Sequence, residues 1–169
     1  MTNELISLIA NLTLTLSFIV GLVFGIAQVR AAARDRRERL TIETLRTYQT
    51  REFAELTLYI TSHKMPSSQE EFRALSANEQ VIYFQFAQEM ESLGILVAER
   101  IIDIDLVDKT IGSLAATAWR KYKTMYMDMR TKQPDPFLGE YFQWLAERIK
   151  ERMQENPRKP FYETHQSTQ

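Results

Sequence analysis

The sequence predicts an all-α protein, with one N-terminal transmembrane helix continuing into a small cytoplasmic helical bundle. Three observations carry that expectation. The run from Leu5 to Val29 holds no charged side chain. Five arginines follow it closely, at Arg30, Arg34, Arg36, Arg37 and Arg39. Beyond them apolar residues recur at helical spacing, while glycine and proline number only five each in 169 residues, too few for a fold of many short strands and turns.

The uncharged run is 25 residues long. As a helix it measures roughly 37 Å, and a bilayer core of about 30 Å is crossed by about 20 residues. Two rival readings fit less well. A secretory signal peptide opens with basic residues, but Met1-Thr2-Asn3-Glu4 has none, and the apolar stretch exceeds the usual signal length. A buried helix of a soluble protein seldom runs this far without a charge. The arginines on one flank, against Glu4 alone on the other, place the N-terminus outside and the rest in the cytoplasm by the positive-inside rule. They fix topology, and they meet anionic head groups at about 1 kcal/mol each. The expected organisation is therefore an external tail at 1–4, a span at 5–29, a cytoplasmic helical domain at 30–155 and a flexible tail at 156–169. With four residues ahead of the span, any signal is expected to come from the bilayer, the cytoplasm or a partner.

Small and polar residues in the span lie on one side. Ser17, Gly21 and Gly25 repeat every four residues, as do Ser7, Asn11 and Thr15. At 100° per residue the two rows fall within an arc of roughly 160°, joined by Gln28. Leu8, Leu12, Leu16, Ile19 and Val23 occupy the other side. Small residues let helix backbones approach closely and Asn11 adds a hydrogen-bonding group, so this is the expected helix-packing face, toward a second copy or a larger membrane protein complex.

In the cytoplasmic part, Leu40, Ile42, Leu45, Tyr48, Phe53, Leu56 and Ile60 follow one another without glycine or proline until Pro66. The spacing predicts an unbroken helix from about residue 5 to about residue 63, then a turn over 64–69 and a short helix capped by Ser68. Ser76 and Glu79 have capping-box spacing. The helix they open runs through Val81, Phe84, Phe86, Ala87, Met90 and Leu93, and Gly94 ends or kinks it. A short apolar piece, Ile95–Ile102, follows. Asp103 and Asp105 suit an N-cap, and from Leu106 a long helix presents Val107, Ile111, Leu114, Ala118, Trp119, Tyr122, Met125, Tyr126 and Met129. Pro134-Asp135-Pro136 stops it. Asp135 as cap and Pro136 as first residue open the last helix, with Phe137, Tyr141, Trp144, Leu145, Ile149 and Met153 on its apolar side.

The chemistry-bearing residues are sparse. A net charge of −1 argues against a nucleic-acid partner. The absence of cysteine excludes disulfides, thiolate-zinc sites and a thiol nucleophile, and fits a reducing compartment. His63 and His165 have no ligand spacing around them. Asp103, Asp105 and Asp108 resemble part of a cation loop but lack the glycine and distal glutamate of an EF-hand, so caps are expected. Glu89, Glu91 and Glu99 are candidates for acid–base work only if buried. Trp119, Tyr122 and Tyr126 read as core, or as a surface packing the last helix at Trp144. Arg120, Lys121 and Lys123 read as a solvated basic patch. No cofactor, metal or catalytic residue is expected.

The stretch Gln28-Val29-Arg30 with its arginine-rich continuation, Phe86 to Gly94 (FAQEMESLG), the apolar-acidic segment Asp103–Asp108, and Trp119 with the residues after it together resemble an uncharacterised bacterial family of single-span, membrane-anchored all-helical proteins, catalogued as a domain of unknown function. The resemblance covers most of the chain. It implies a bacterial inner-membrane location and an all-α domain, and brings no active site with it. The expected role is a non-enzymatic accessory, scaffold or interaction subunit in contact with the lipid bilayer. The alternative is a membrane-tethered enzyme or ligand-binding module that uses Asp and Glu carboxylates.

Overall fold

The computed structural model describes residues 2–132 and 135–157, with Pro160 and Glu163. All regular structure among them is helical: α1 (Thr2–Thr47), α2 (Arg51–Ser62), α3 (Gln69–Ala74), α4 (Ala77–Ala98), α5 (Ile104–Val107), a π-helical turn (Asp108–Gly112), α6 (Ser113–Lys132) and α7 (Glu140–Glu155). The chain forms two compact units, Met1–Arg39 and Leu40–Gln169.

The first unit is the greater part of α1. Fifteen large apolar side chains between Leu5 and Val29 stand exposed on it, Phe18 and Phe24 among them. Two of its hydroxyls turn back onto the helix: Thr13 donates to the Ile9 carbonyl and Thr15 to the Asn11 carbonyl, each at 2.8 Å. Polar side chains satisfied in this way cost little in an apolar medium.

The second unit is built on α4, α6 and α7. Phe86, Met90 and Leu93 of α4, Tyr122 of α6, and Phe142, Leu145 and Ile149 of α7 are all fully buried. Tyr122 lies at the centre. Its ring stacks on Phe86 at 6.0 Å and meets Phe142 edge-on at 5.5 Å, and its hydroxyl donates to the Tyr83 carbonyl at 2.9 Å. A buried phenol needs that bond, because an unpaired one would cost about 1–3 kcal/mol.

The structure departs from the sequence expectations at four helix boundaries. The expected unbroken helix stops at Thr47, and α2 begins at Arg51 because the Thr50 hydroxyl caps it, accepting from the Phe53 amide at 3.2 Å. Tyr48, in the break, is buried and donates to the Glu89 carbonyl at 3.0 Å. Gly94 does not end α4, which continues to Ala98. A Cβ at Gly94 would collide with the Tyr141 carbonyl, so this glycine is what lets α7 lie against α4. The expected helix from Leu106 is interrupted by the π turn, which rotates the buried face: Ala115 is fully buried while Ile111 and Leu114 are half-buried. Finally, Asp135 caps only a turn, accepting from the Phe137 amide at 3.0 Å. Gly139 follows at φ +67°, and α7 starts at Glu140. Phe137 therefore falls outside the helix and is 68% exposed, and the buried face of α7 is Phe142, Leu145, Ala146 and Ile149 instead of one through Trp144. On α4, Tyr83 is buried, whereas Val81 and Phe84 are exposed.

Other boundaries match. The Ser68 hydroxyl caps α3, accepting from the Glu71 amide at 3.2 Å. Ser76 and Glu79 form the reciprocal capping box of α4. Asp103 caps α5, accepting from the Asp105 amide at 2.7 Å.

Several helix ends are closed by side chains from elsewhere in the chain. The Glu91 carboxylate of α4 accepts the first α7 amides, Tyr141 at 3.2 Å and Phe142 at 2.8 Å. The Asp128 carboxylate of α6 accepts the Gln69 amide at the start of α3 at 2.8 Å. The Lys121 ammonium donates to the carbonyls of Ile60, Thr61 and His63 at the end of α2, at 2.6, 2.8 and 3.3 Å. Thr41, fully buried, accepts the Asp103 amide at 2.8 Å. Each tie satisfies backbone groups that a helix leaves open, with the charge sign its dipole favours where the side chain is charged. Lys132 bridges Glu70 at 2.5 Å and Asp128 at 3.0 Å. The Gln69 amide and Lys132 together hold the Asp128 carboxyl below its ordinary range.

Three outcomes are expected. Gly94→Ala should lower the stability of the helical domain by about 1–3 kcal/mol or more, read from denaturant midpoints, because the α4–α7 contact must open. Glu91→Ala should cost about 1–2 kcal/mol by the same measurement, with Glu91→Gln losing less, since it keeps an acceptor for the α7 amides. The third concerns alkaline pH. Burial raises the phenols of Tyr48, Tyr122 and Tyr126 well above their ordinary value of 10.0. The native state thus holds protons that the unfolded chain releases, so the contribution of these phenols to stability is complete below pH 10 and declines as pH rises past it. Phenolate absorbance from these residues should appear together with loss of helical circular dichroism; its appearance in the still-folded protein would contradict their burial.

Candidate functional site

The sequence-predicted membrane face lies entirely on α1. Ser7, Asn11, Thr15, Ser17, Gly21 and Gly25 are all exposed there. A Cβ at Gly21 or Gly25 would meet nothing within 4 Å, so the chain itself does not fill the groove that these glycines leave. Arg30, Arg34, Arg36, Arg37 and Arg39 continue along the same helix as exposed residues. Arg34 pairs with Glu38 at 2.9 Å, one turn on. Within Leu5–Thr47 an 18-residue window is long and apolar enough to cross a membrane, and none of it is buried by the chain.

The polar residues of the helical domain mostly turn out to have structural tasks. Glu91 and Asp103 cap helices. Glu99 ends α4, its amide donating to the Ile95 carbonyl at 2.9 Å. Asp105 pairs with Arg152 of α7. Asp108 is 8% exposed inside the π turn. Among the described residues no group of three His, Asp or Glu side chains is placed to hold a metal ion. His63 stacks on Tyr59 at 4.0 Å, with its Nδ1 3.0 Å from the Tyr59 carbonyl. His165 lies outside the described residues. Trp119, Tyr122 and Tyr126 are core, as expected, but the α7 ring that Trp119 and Tyr122 meet is Phe142; Trp144 is 39% exposed.

The basic patch read from the sequence divides in two. Lys121 points to the end of α2, as described above. Arg120 and Lys123 line a groove of about 360 Å³ between α6 and α7, together with Glu147 and Lys150, over a floor that includes Ala116, Ala146 and Trp119. Trp119 is 4% exposed, and its indole N–H has no acceptor among the described residues. Neighbours in a helix sequence point about 100° apart, which explains the division. Lys150 comes from the other helix, and no local pattern in the sequence signals its place here. A second cleft, of about 420 Å³, is lined by Gln85, Gln88, Glu89, Glu91 and Ser92 of α4. Of its two carboxylates, Glu91 is committed to α7.

Compared with known proteins, residues 15–149 match the family described as a domain of unknown function, DUF4760. No curated protein and no solved structure matches the chain. The match runs from within the apolar part of α1 into the last turns of α7 and so takes in most of both units. This chain belongs to the DUF4760 family.

Proposed function

We propose that the chain is a single-pass protein of the bacterial inner membrane, with the span at 5–29, the N-terminus outside, and residues 30–155 held in the cytoplasm as a non-enzymatic interaction or scaffold domain. The observation that carries this reading is the exposure of α1. Its fifteen large apolar side chains have no cover in the chain. Burying one such side chain is worth about 1.5–3 kcal/mol, so leaving them in water would cost on the order of 20 kcal/mol, against a net domain stability of about 5–15 kcal/mol. A bilayer removes that cost. The arginines then meet the inner head groups, and the row Ser7, Asn11, Thr15, Ser17, Gly21 and Gly25 packs against a second copy or another membrane protein. Asn11 would be costly facing lipid and is accommodated at such a contact.

The alternative of an enzyme or binding module using carboxylates has less support. Glu79, Glu91, Asp103 and Asp128 each accept backbone or capping bonds that hold helices in place.

The reading is tested in cells and in membranes. A fluorescent reporter that matures only in the cytoplasm, fused at the C-terminus, should be bright, and a phosphatase active only after export should be silent. Cysteine introduced at position 2 should give crosslinked oligomers or a crosslinked partner, lost when Gly21 and Gly25 are both replaced by Leu. An active exported reporter would reverse the topology. Unchanged crosslinking in the Gly21→Leu/Gly25→Leu protein would remove the packing face.

A further inference from the structure

We propose that the groove between α6 and α7 binds a phosphate-bearing anion, with Arg120, Lys123 and Lys150 as its cationic contacts. α6 and α7 carry eight basic side chains. Five of them are engaged within the protein: Lys121 on the end of α2, Arg130 on the Leu138 carbonyl, Lys132 on Glu70 and Asp128, Arg148 on Glu151, and Arg152 on Asp105. The three without an ion pair or hydrogen bond among the described residues are Arg120, Lys123 and Lys150, and all three line this one groove. Two helices therefore contribute their unengaged cations to the same place.

Shape and charge define the ligand. Ala116 and Ala146 keep the floor low, and the volume of about 360 Å³ suits a small anion with a compact attachment. Among the described residues Glu147 is the one carboxylate lining the groove, and it accepts from the Gln143 side-chain amide at 2.9 Å. Set against the three cations it leaves a surplus of two positive charges. A phosphomonoester carries about −1.5 to −2 at neutral pH and offers three acceptor oxygens, which matches that surplus. Arg120 supplies a planar fork for two of those oxygens, while the two lysines act as compact charges. The groove is a single site bounded by two helices, not a long basic track, so it fits one phosphate better than a nucleic-acid backbone. The same chemistry is offered by a soluble phosphorylated compound and by the head group of an anionic lipid.

Trp119 in the floor serves as a reporter. In full-length protein carrying Trp144→Phe, held in uncharged detergent micelles, Trp119 is the sole tryptophan. Its fluorescence is titrated with inorganic phosphate, with pyrophosphate, and with phosphatidic acid mixed into the micelles, using phosphatidylcholine as the blank. A saturable change is expected with at least one of the three. A response to the soluble anions assigns a free phosphate compound, and a response to phosphatidic acid alone assigns a lipid. Lys123→Ala with Lys150→Ala, both exposed positions, should weaken binding about tenfold or more, while Lys123→Arg with Lys150→Arg retains it. Arg73→Ala with Lys109→Ala, exposed and outside the groove, should leave it within about twofold. No saturable response to any of the three, or equal weakening by the two alanine pairs, would overturn the assignment.

Discussion

The seat of α7 on α4 is the contact from which the rest of the helical domain follows. At Gly94 the two helices approach so closely that no Cβ fits between them and the Tyr141 carbonyl. Three residues earlier on α4, the Glu91 carboxylate receives the first amides of α7. A close approach and a charge-assisted cap at one point fix the position, direction and rotation of α7 together. Phe142 is thereby delivered to Phe86 and Tyr122, and the aromatic centre closes. Without that seat Tyr122 would lose one of the rings that bury its phenol.

A chain with few glycines and prolines has to end its helices by other means. Thr50 ends one and starts another with its hydroxyl. Lys121, Asp128, Glu91 and Thr41 reach across from other elements to finish four more helix ends. This accounts for the polar residues that look like chemistry in the sequence. Carboxylates near helix N-termini and an ammonium at a C-terminus are where the helix dipole favours them. Once these ties are assigned, three basic groups on α6 and α7 remain without a tie among the described residues, and those three share one groove.

What was legible in the sequence was what short-range pattern encodes. The uncharged run, the Ser76–Glu79 box, the Ser68 and Asp103 caps and the burial of Trp119, Tyr122 and Tyr126 all depend on residues within a turn or two of one another. What was not legible depends on partners distant in sequence. Gly94 looks like a helix end because a glycine near the close of an apolar pattern often is one; its reason is Tyr141, almost fifty residues on. Lys121 seemed to belong with Arg120 and Lys123, although successive residues face different ways around a helix. The break at Tyr48–Thr50 carries no proline or glycine, only a threonine cap that also occurs mid-helix. The start of α7 was displaced because Gly139, with its positive φ, outweighs the nearer Asp135-Pro136 signal.

What sets α1 apart is extent: fifteen large apolar side chains between Leu5 and Val29 stand exposed along one helix. The family to which the chain belongs includes most of that helix along with the bundle. The account stands on this helix residing in lipid, and extraction of native membranes tests it most directly. Washed at alkaline pH in carbonate, the full-length protein should stay in the membrane pellet and leave it only with detergent, with its N-terminal residues intact. Release into the carbonate supernatant, or recovery of a chain shortened by the length of the apolar run, would contradict it.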